Sequence, residues 1–412
     1  MSVLEDQQLT DLEVQECPWA YYAAMHAERA GFYFDERINM FVCADYQLLR
    51  QIMRNPQLFS NVNSQNISAM REPPQAVKEI QAKSLRQQNI LVSQDPPEHT
   101  RVRKMLDGPL RPRAIEALRP QIAEITQQAL SQFKARGHFD AVAEYAVPIP
   151  VTVIADILGL DRKYAATIKT WSDASVEPLG MMISDARWIE CAEIIHDFQQ
   201  FVIRELEARS TTPQDDLLTH LVQARDDTGT AFSMAEMLGI TQQLLVAGNE
   251  TTTNGIAAGL QLLAENPQEQ QRLRDHPERL LAFVNEVLRL ESPVQGLFRV
   301  VRKDTELAGQ HIPKGSRIML RYAAANRDPQ KYDAPDTLDI FRSNSGTQVG
   351  FGAGIHHCIG ANLAREEMYQ AFSCLLKNCS SLRLKEGVAL QHHPSMVLRG
   401  LRELPLEFEI AS

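Results

Sequence analysis

The chain has 412 residues, 44% hydrophobic and 23% charged, with a formal net charge of −10, which is the make-up of a globular protein with ample apolar material for a core. The acidic balance argues against a general nucleic-acid binder, which carries a basic excess. The polar, acidic first sixteen residues predict no secretory signal, and the absence of an apolar run of roughly 18 residues predicts no membrane span. Six cysteines without a Cys-x-x-Cys pair predict a reduced, cytoplasmic setting.

Residues 32–46 read as two short strands around a polar turn. Gln47 to Asn55 reads as a helix that stops at Pro56. Residues 60–97 carry Pro73-Pro74 and Pro96-Pro97 and read as a long irregular stretch with one short helix inside. From Pro112 to about Asp226 the pattern is mainly helical. Leu118, Ile122, Ile125 and Leu130 recur at helical spacing, as do Ile195, Phe198, Val202 and Leu206. Ser233 and Glu236 form a capping box that opens a long helix running to about Glu265, before Pro267. Another helix covers Glu278 to Leu290. Residues 298–321 read as short strands with turns at Ala308-Gly309 and Lys314-Gly315. The Gly-rich run Gly350–Gly360 leads into a helix through Asn378, and residues 381–410 read as strands. The sum is mainly α with a minor β component.

The chemistry concentrates at Cys358 in the run FGAGIHHCIG, Phe351 to Gly360. A lone cysteine is ordinarily a small buried hydrophobe. Here Gly352, Gly354 and Gly360 let the backbone pass close to something flat. The cysteine also sits where a helix starts, so unpaired N–H groups and the helix dipole are expected to favour a thiolate. His356 and His357 beside it do not make a zinc site, because adjacent residues rarely converge on one tetrahedral centre.

Three further constellations stand out. Glu286 and Arg289 lie one turn apart on the helix that ends near Leu290. Ala247-Gly248-Asn249-Glu250-Thr251-Thr252 puts polar groups in the middle of a long apolar helix. Thr251 is placed to bond the carbonyl of Ala247 and open the helix locally. Asp95-Pro-Pro-Glu-His99-Thr-Arg-Val-Arg103 has the features of a helix N-terminus, with His99 and Arg103 one turn apart.

The loop FGAGIHHCIG resembles the Phe-x-x-Gly-x-x-x-Cys-x-Gly haem-ligand loop of the cytochromes P450, and the other motifs fall in the family's order from about residue 90 to the C-terminus. The resemblance implies the P450 fold: a triangular α-rich prism with haem between the long central helix and the Cys loop. It implies one domain over residues 1–412, with β-containing parts near 30–60, 298–321 and 381–410 and helical parts near 90–290 and 358–378.

Carried over residue by residue, Cys358 is the axial thiolate on the haem iron, with Phe351 beside the sulfur. Gly352, Ala247 and Gly248 face the cofactor, haem b. His99, Arg103, Arg299 and His356 hold its propionates, a role for which arginine's planar fork is suited. Thr251 and Glu250 form the acid–alcohol pair at the oxygen-binding groove. Glu286, Arg289 and Arg342 form a structural charge network. One departure is Gln348-Val349-Gly350, where many relatives have His-Leu-Ala; that puts one propionate contact in doubt.

The activity so implied is insertion of one atom of O2 into a hydrophobic substrate, with hydroxylation the default outcome and a terpenoid, steroid or fatty-acid-like molecule expected. Electrons come from NAD(P)H through a separate ferredoxin and ferredoxin reductase. Arg101, Lys104, Arg111, Arg113 and Arg365 are the expected docking cations. Leu244, Val294, Gly296, Leu297, Met396 and Val397 are the expected pocket residues, with Met181 and Met182 as an adaptable lid. A monomer is expected.

Overall fold

The structure is a computed structural model and describes residues 2–65, 71–85, 88 and 90–411. Parts of the 60–97 stretch, read above as irregular, therefore lie outside the described residues. Three short helices open the chain: α1 (Val3–Asp6), α2 (Leu12–Glu16) and α3 (Trp19–Arg29). The hairpin β1 (Phe32–Asp35) and β2 (Met40–Cys43) leads into α4 (Tyr46–Met53), capped by Asp45, whose carboxylate accepts from the Leu48 N–H. β3 (Phe59–Ser60) and α5 (Gln75–Lys83) follow, α5 being the one α-helix described in the 60–97 stretch.

The helical body is α6 (Glu98–Leu106), α7 (Pro112–Phe133), α8 (Pro148–Leu158), α9 (Ala165–Val176), α10 (Asp185–Thr211), α11 (Leu217–Gln223) and α12 (Met234–Glu265). A three-residue strand, β4 (His138–Asp140), interrupts the mainly helical stretch, because Gly137 turns the chain at φ +71° and β4 then pairs with the last strand. α12 begins with both hydrogen bonds of the Ser233–Glu236 capping box. One apolar cluster, from α6 and α8 to α11, packs on its first half through Leu238, Ile240 and Leu244. A second, from α7, α14 (Leu280–Leu290) and α16 (Ala361–Asn378), packs on its second half through Ile256, Leu260 and Leu263. The middle of α12, where its polar residues fall, therefore passes between two cores. The short α13 (Pro267–Asp275) connects α12 to α14.

β5 (Leu297–Val301), β6 (Thr305–Leu307), β7 (Gln310–Ile312) and β8 (Arg317–Leu320) follow. The β6–β7 turn has Ala308 and Gly309 both at positive φ. The main sheet runs β1-β2-β8-β5-β3, with β2 and β8 parallel. After α15 (Tyr322–Ala325) and α16 come β9 (Cys379–Leu384) and β10 (Pro405–Ile410), which sheet together with β4. Residues 385–404 are irregular apart from isolated bridges, so only the ends of the expected 381–410 strand region are strand.

The N-terminal helices grip both the sheet and the C-terminal turn. Trp19 lies between two guanidinium groups, Arg327 at 3.7 Å and Arg399 at 4.9 Å. The fully buried Tyr22 bonds Gln295 and Arg321, and Arg321 reaches on to the Met396 carbonyl. No helix among the described residues is long and apolar enough to cross a membrane.

Candidate functional site

A cavity of about 1600 Å³ lies between the middle of α12 and the 350–360 loop. The loop takes its shape from Gly352 and Gly354, both at φ +70°, a conformation other residues resist; a Cβ on Gly354 would also stand 2.8 Å from the Met53 carbonyl. The turn presents Cys358 to the cavity, its N–H donating to the Phe351 carbonyl at 2.9 Å. Protein surrounds the sulfur on every side but the cavity side. Burial therefore pushes the thiol up, against the pull of the Gly360 N–H, Arg103 and Arg365. α16 begins at Ala361, three residues on, and the Gly360 N–H is the backbone group that pulls the thiol down. A thiolate here calls for a bound cation. Phe351 lines the same wall, and the Arg365 guanidinium sits 4.5 Å above its ring.

A cationic cluster closes one end of the cavity. The His99 and His356 rings lie 4.2 Å apart, tilted by 54°, and Arg103 and Arg299 line the wall beside them. Among the described residues neither arginine has a carboxylate within ion-pair distance. Arg299 bonds the Phe298 carbonyl at 2.8 Å, and nearby Asp95 is engaged by Ser60, Asn61 and Arg302. The His99 Nδ1 and His356 Nε2 atoms are buried without a partner among the described residues. Burial, then the neighbouring His99 and Arg299, drive His356 down to about 3; burial and Arg103 lower His99. Two unpaired guanidiniums with neutral imidazoles between them fit an anionic ligand with carboxylates. With a thiol below and the bare Ala247–Gly248 backbone above, the donor set fits a flat iron macrocycle bearing propionates.

On α12, Thr251 Oγ1 donates to the Ala247 carbonyl at 2.8 Å as expected, but the helix is not opened there: α12 runs unbroken from Met234 to Glu265. Glu250 turns away toward α9 and meets the Lys169 ammonium at 3.2 Å; Lys169 also pairs with Asp173. Burial carries the Glu250 carboxyl up to about 7, even against the opposing pull of Lys169. Lys169 is in turn raised by Glu250 and Asp173 despite its burial. These two α9 partners escaped sequence reasoning, because Lys169 and Asp173 look like any i, i+4 pair on a helix surface.

Below the cavity, Arg289 donates to both Glu286 oxygens at 2.7 and 2.9 Å, and Arg342 Nε donates to Glu286 at 3.1 Å. Arg289 also bonds the carbonyls of Asn326 and Thr337, and Asp339 N–H donates to Glu286. The network ties α14 to the 326–342 loop.

Of the six expected pocket residues, Leu244, Val294, Leu297 and Val397 line the cavity. Gly296 and Met396 do not. Gly296 faces β8, where a Cβ would lie 2.4 Å from the Leu320 carbonyl, and Met396 packs into the N-terminal cluster with Tyr22 and Met25. Met181 lines the cavity, whereas Met182 packs against that same cluster. Three of the five docking cations are already ion-paired: Arg101 with Glu236 and Asp226, Lys104 with Asp227, Arg111 with Asp107.

Fold and site together define a haem-thiolate oxygenase, and comparison with known proteins agrees. The family model for cytochrome P450 matches residues 32–405. The cytochrome P450 monooxygenase PikC of Streptomyces venezuelae is 32% identical, over 95% of this chain and 91% of that one. Among solved structures, the cytochrome P450 CREJ in complex with (4-ethylphenyl) dihydrogen phosphate superposes with a TM-score of 0.92 at 27% identity, covering 98% of this chain and 100% of that one. CYP109E1 from Bacillus megaterium in complex with testosterone superposes with a TM-score of 0.84 at 28% identity, covering 97% and 99%. The chain belongs to the cytochrome P450 family. It is a P450 monooxygenase, and membership carries haem-thiolate chemistry and the use of O2.

Proposed function

We propose that this chain hydroxylates a mostly apolar small molecule, with Cys358 as the axial ligand of haem b. The observation that carries this reading is the cavity itself: a half-buried cysteine on one wall, Thr251 and the Ala247–Gly248 backbone of α12 on another, and a cationic cluster without carboxylate partners among the described residues at one end. Bound there, the haem supplies oxygen activation, and a thiolate ligand favours O–O cleavage. Arg103, Arg299, His99 and His356 hold its propionates. Thr251 holds a hydrogen-bonded proton at the groove beside Ala247 and Gly248. Glu250 exchanges protons with solvent on the α9 side, and a pKa near neutrality suits it to the task. Leu244, Val294, Leu297 and Val397 keep water from the reacting carbon and hold the substrate by its apolar surface.

A steroid-like, terpenoid or fatty-acid-like substrate agrees with those walls, and testosterone is the ligand in one structural neighbour. Electrons reach the protein, as a cytoplasmic monomer, from NAD(P)H through a separate ferredoxin and its reductase. Arg113, which is exposed and has no ion-pair partner among the described residues, is the freest of the docking cations.

The test is the visible spectrum of the dithionite-reduced protein under carbon monoxide. The far-red-shifted Soret band of thiolate-ligated haem is expected, and its loss in Cys358→His. A band typical of histidine-ligated haem in the native protein, or the thiolate band persisting in the variant, would overturn the assignment of Cys358.

A further inference from the structure

The turn that carries Val397 and Leu398 into the cavity wall has no strand ladder to hold it, since residues 385–404 are irregular apart from isolated bridges. Its place is therefore set by the groups its backbone bonds to. Within the turn, Ser395 Oγ accepts from the Val397 and Leu398 N–H groups at 3.2 and 3.1 Å, which fixes the bend. Toward the 293–295 segment, the Gln295 N–H donates to the Val397 carbonyl at 2.7 Å and the Arg399 N–H to the Pro293 carbonyl at 3.0 Å. The Met396 N–H reaches the Gly180 carbonyl at 3.2 Å, one residue before the cavity-lining Met181.

A second set of bonds comes from α2. The Glu16 carboxylate accepts the His392 N–H at 3.0 Å, and its Oε2 meets His392 Nδ1 at 2.8 Å. Gln15 Oε1 accepts the Ser395 N–H at 3.3 Å. The Arg399 guanidinium donates to the Gln15 and Glu16 carbonyls at 2.8 and 3.0 Å. These contacts fall at residues 392, 395 and 399 and bracket the two wall residues. Val14, on the same helix, joins the apolar cluster that holds Met396 and Val397. No residue of α2 lines the cavity. The Glu16 side chain is 43% exposed, so its contact with His392 adds little to global stability; what it fixes is place.

We propose that Gln15 and Glu16 are positioning residues for the substrate: α2 clasps the 392–399 turn and so sets where the Val397–Leu398 wall stands. They touch neither substrate nor cofactor and act through that wall. This rests on the reading that the cavity holds both haem and substrate. The leverage is large, because a misplacement of about 1 Å between a bound substrate and its reacting partner costs on the order of a hundredfold in rate.

The test uses the haem-loaded full chain and two probes that ligate the haem iron through the same ring nitrogen, 1-methylimidazole and 1-dodecylimidazole, titrated by the shift of the Soret band. The short probe occupies the iron alone, and the long one must also run along the cavity walls. In Glu16→Ala the dodecyl probe should bind about fourfold more weakly, one methylene's worth of wall contact, and the methyl probe as before. Amide hydrogen exchange should quicken across residues 392–400 in the same variant. Glu16→Gln, whose amide oxygen still accepts the His392 N–H, should restore both. Arg274→Ala loses hydrogen bonds to the Leu376 and Cys379 carbonyls, lines no part of the cavity, and should change neither affinity. An unchanged dodecyl affinity in Glu16→Ala, or an equal loss in Arg274→Ala, would overturn the proposal. Should Glu16→Ala not fold, Gln15→Leu decides the matter in the same way, since it removes the Ser395 acceptor. A methyl probe that gives no shift in the unsubstituted protein brings down the haem reading, and the proposal with it.

Discussion

Replacing Glu286 by alanine isolates what the buried charge network contributes. Glu286 and Arg289 are 0% exposed and Arg342 is 8% exposed, so little water can reach the guanidiniums left behind. Arg289 would keep its carbonyl partners and lose its only counter-charge, and Arg342 would lose its Nε acceptor. Removing one partner of a buried pair costs about 3–5 kcal/mol. For 412 residues the entropy of unfolding is roughly 0.9 kcal/mol per kelvin near the transition, so the melting temperature should fall by about 5 °C. The network ties α14 to the 326–342 loop, which packs under the haem-ligand loop through the Asn326 side chain and the Val349 N–H at 2.8 Å. The reduced carbon monoxide band should therefore weaken in step with stability. Differential scanning calorimetry and the band are read on Glu286→Ala and on Asp227→Ala, which breaks the exposed pair to Lys104 and should shift nothing measurable. Equal melting temperatures in the two variants would show that the buried triad holds nothing together.

Thr251→Ala should keep substrate binding and NAD(P)H consumption but divert reducing equivalents to peroxide, seen as a fall in product per NAD(P)H; unchanged coupling would remove Thr251 from proton delivery. The Glu250 carboxyl titrates near 7 in the fold against about 4.5 when unfolded. The folded state therefore binds more protons between those values, and this group's cost to stability grows as pH rises from about 4.5 to 7. Glu250→Gln should gain stability relative to the unsubstituted protein at pH 8 and not at pH 4, and should lose the inflection near pH 7 in the coupled turnover rate; an inflection that survives belongs to another group. Gly354→Ala forces a Cβ onto the Met53 carbonyl at positive φ, so haem occupancy on purification should drop severalfold, and full occupancy would mean that the loop tolerates a different turn. The double reversal Lys104→Glu and Arg113→Glu should raise the ferredoxin concentration needed for half-maximal turnover severalfold at low salt; an unchanged value would place docking elsewhere.

What could be read in advance was local. The Ser233–Glu236 cap, the Thr251 back-bond and the glycines before Cys358 each declare themselves within a few residues, because each satisfies a backbone requirement at short range. Contacts that depend on how distant segments meet were not legible. The Lys169 and Asp173 side chains become partners of Glu250 only when α9 crosses α12, and β4 exists only because β10 arrives beside it. Gly296 and Met396 were placed in the cavity by their neighbours in sequence. Neither lies in a strand, so no periodicity marks which way it faces: Gly296 backs onto the Leu320 carbonyl and Met396 joins the N-terminal cluster.

The Tyr22–Gln295–Arg321 contact joins the first helices to two cavity-lining segments, since the Gln295 N–H also donates to the Val397 carbonyl and Arg321 reaches the Met396 carbonyl. For recombination between homologous chains this makes residues 19–29 and the 294–297 and 396–398 segments a single heritable block, although nearly four hundred residues separate its ends. A crossover near residue 30 would split that block and leave Arg321 buried against a foreign partner. Chimeras that exchange the three segments together should keep both expression and product profile, and a mutational library confined to cavity-lining positions would pass over Tyr22 altogether.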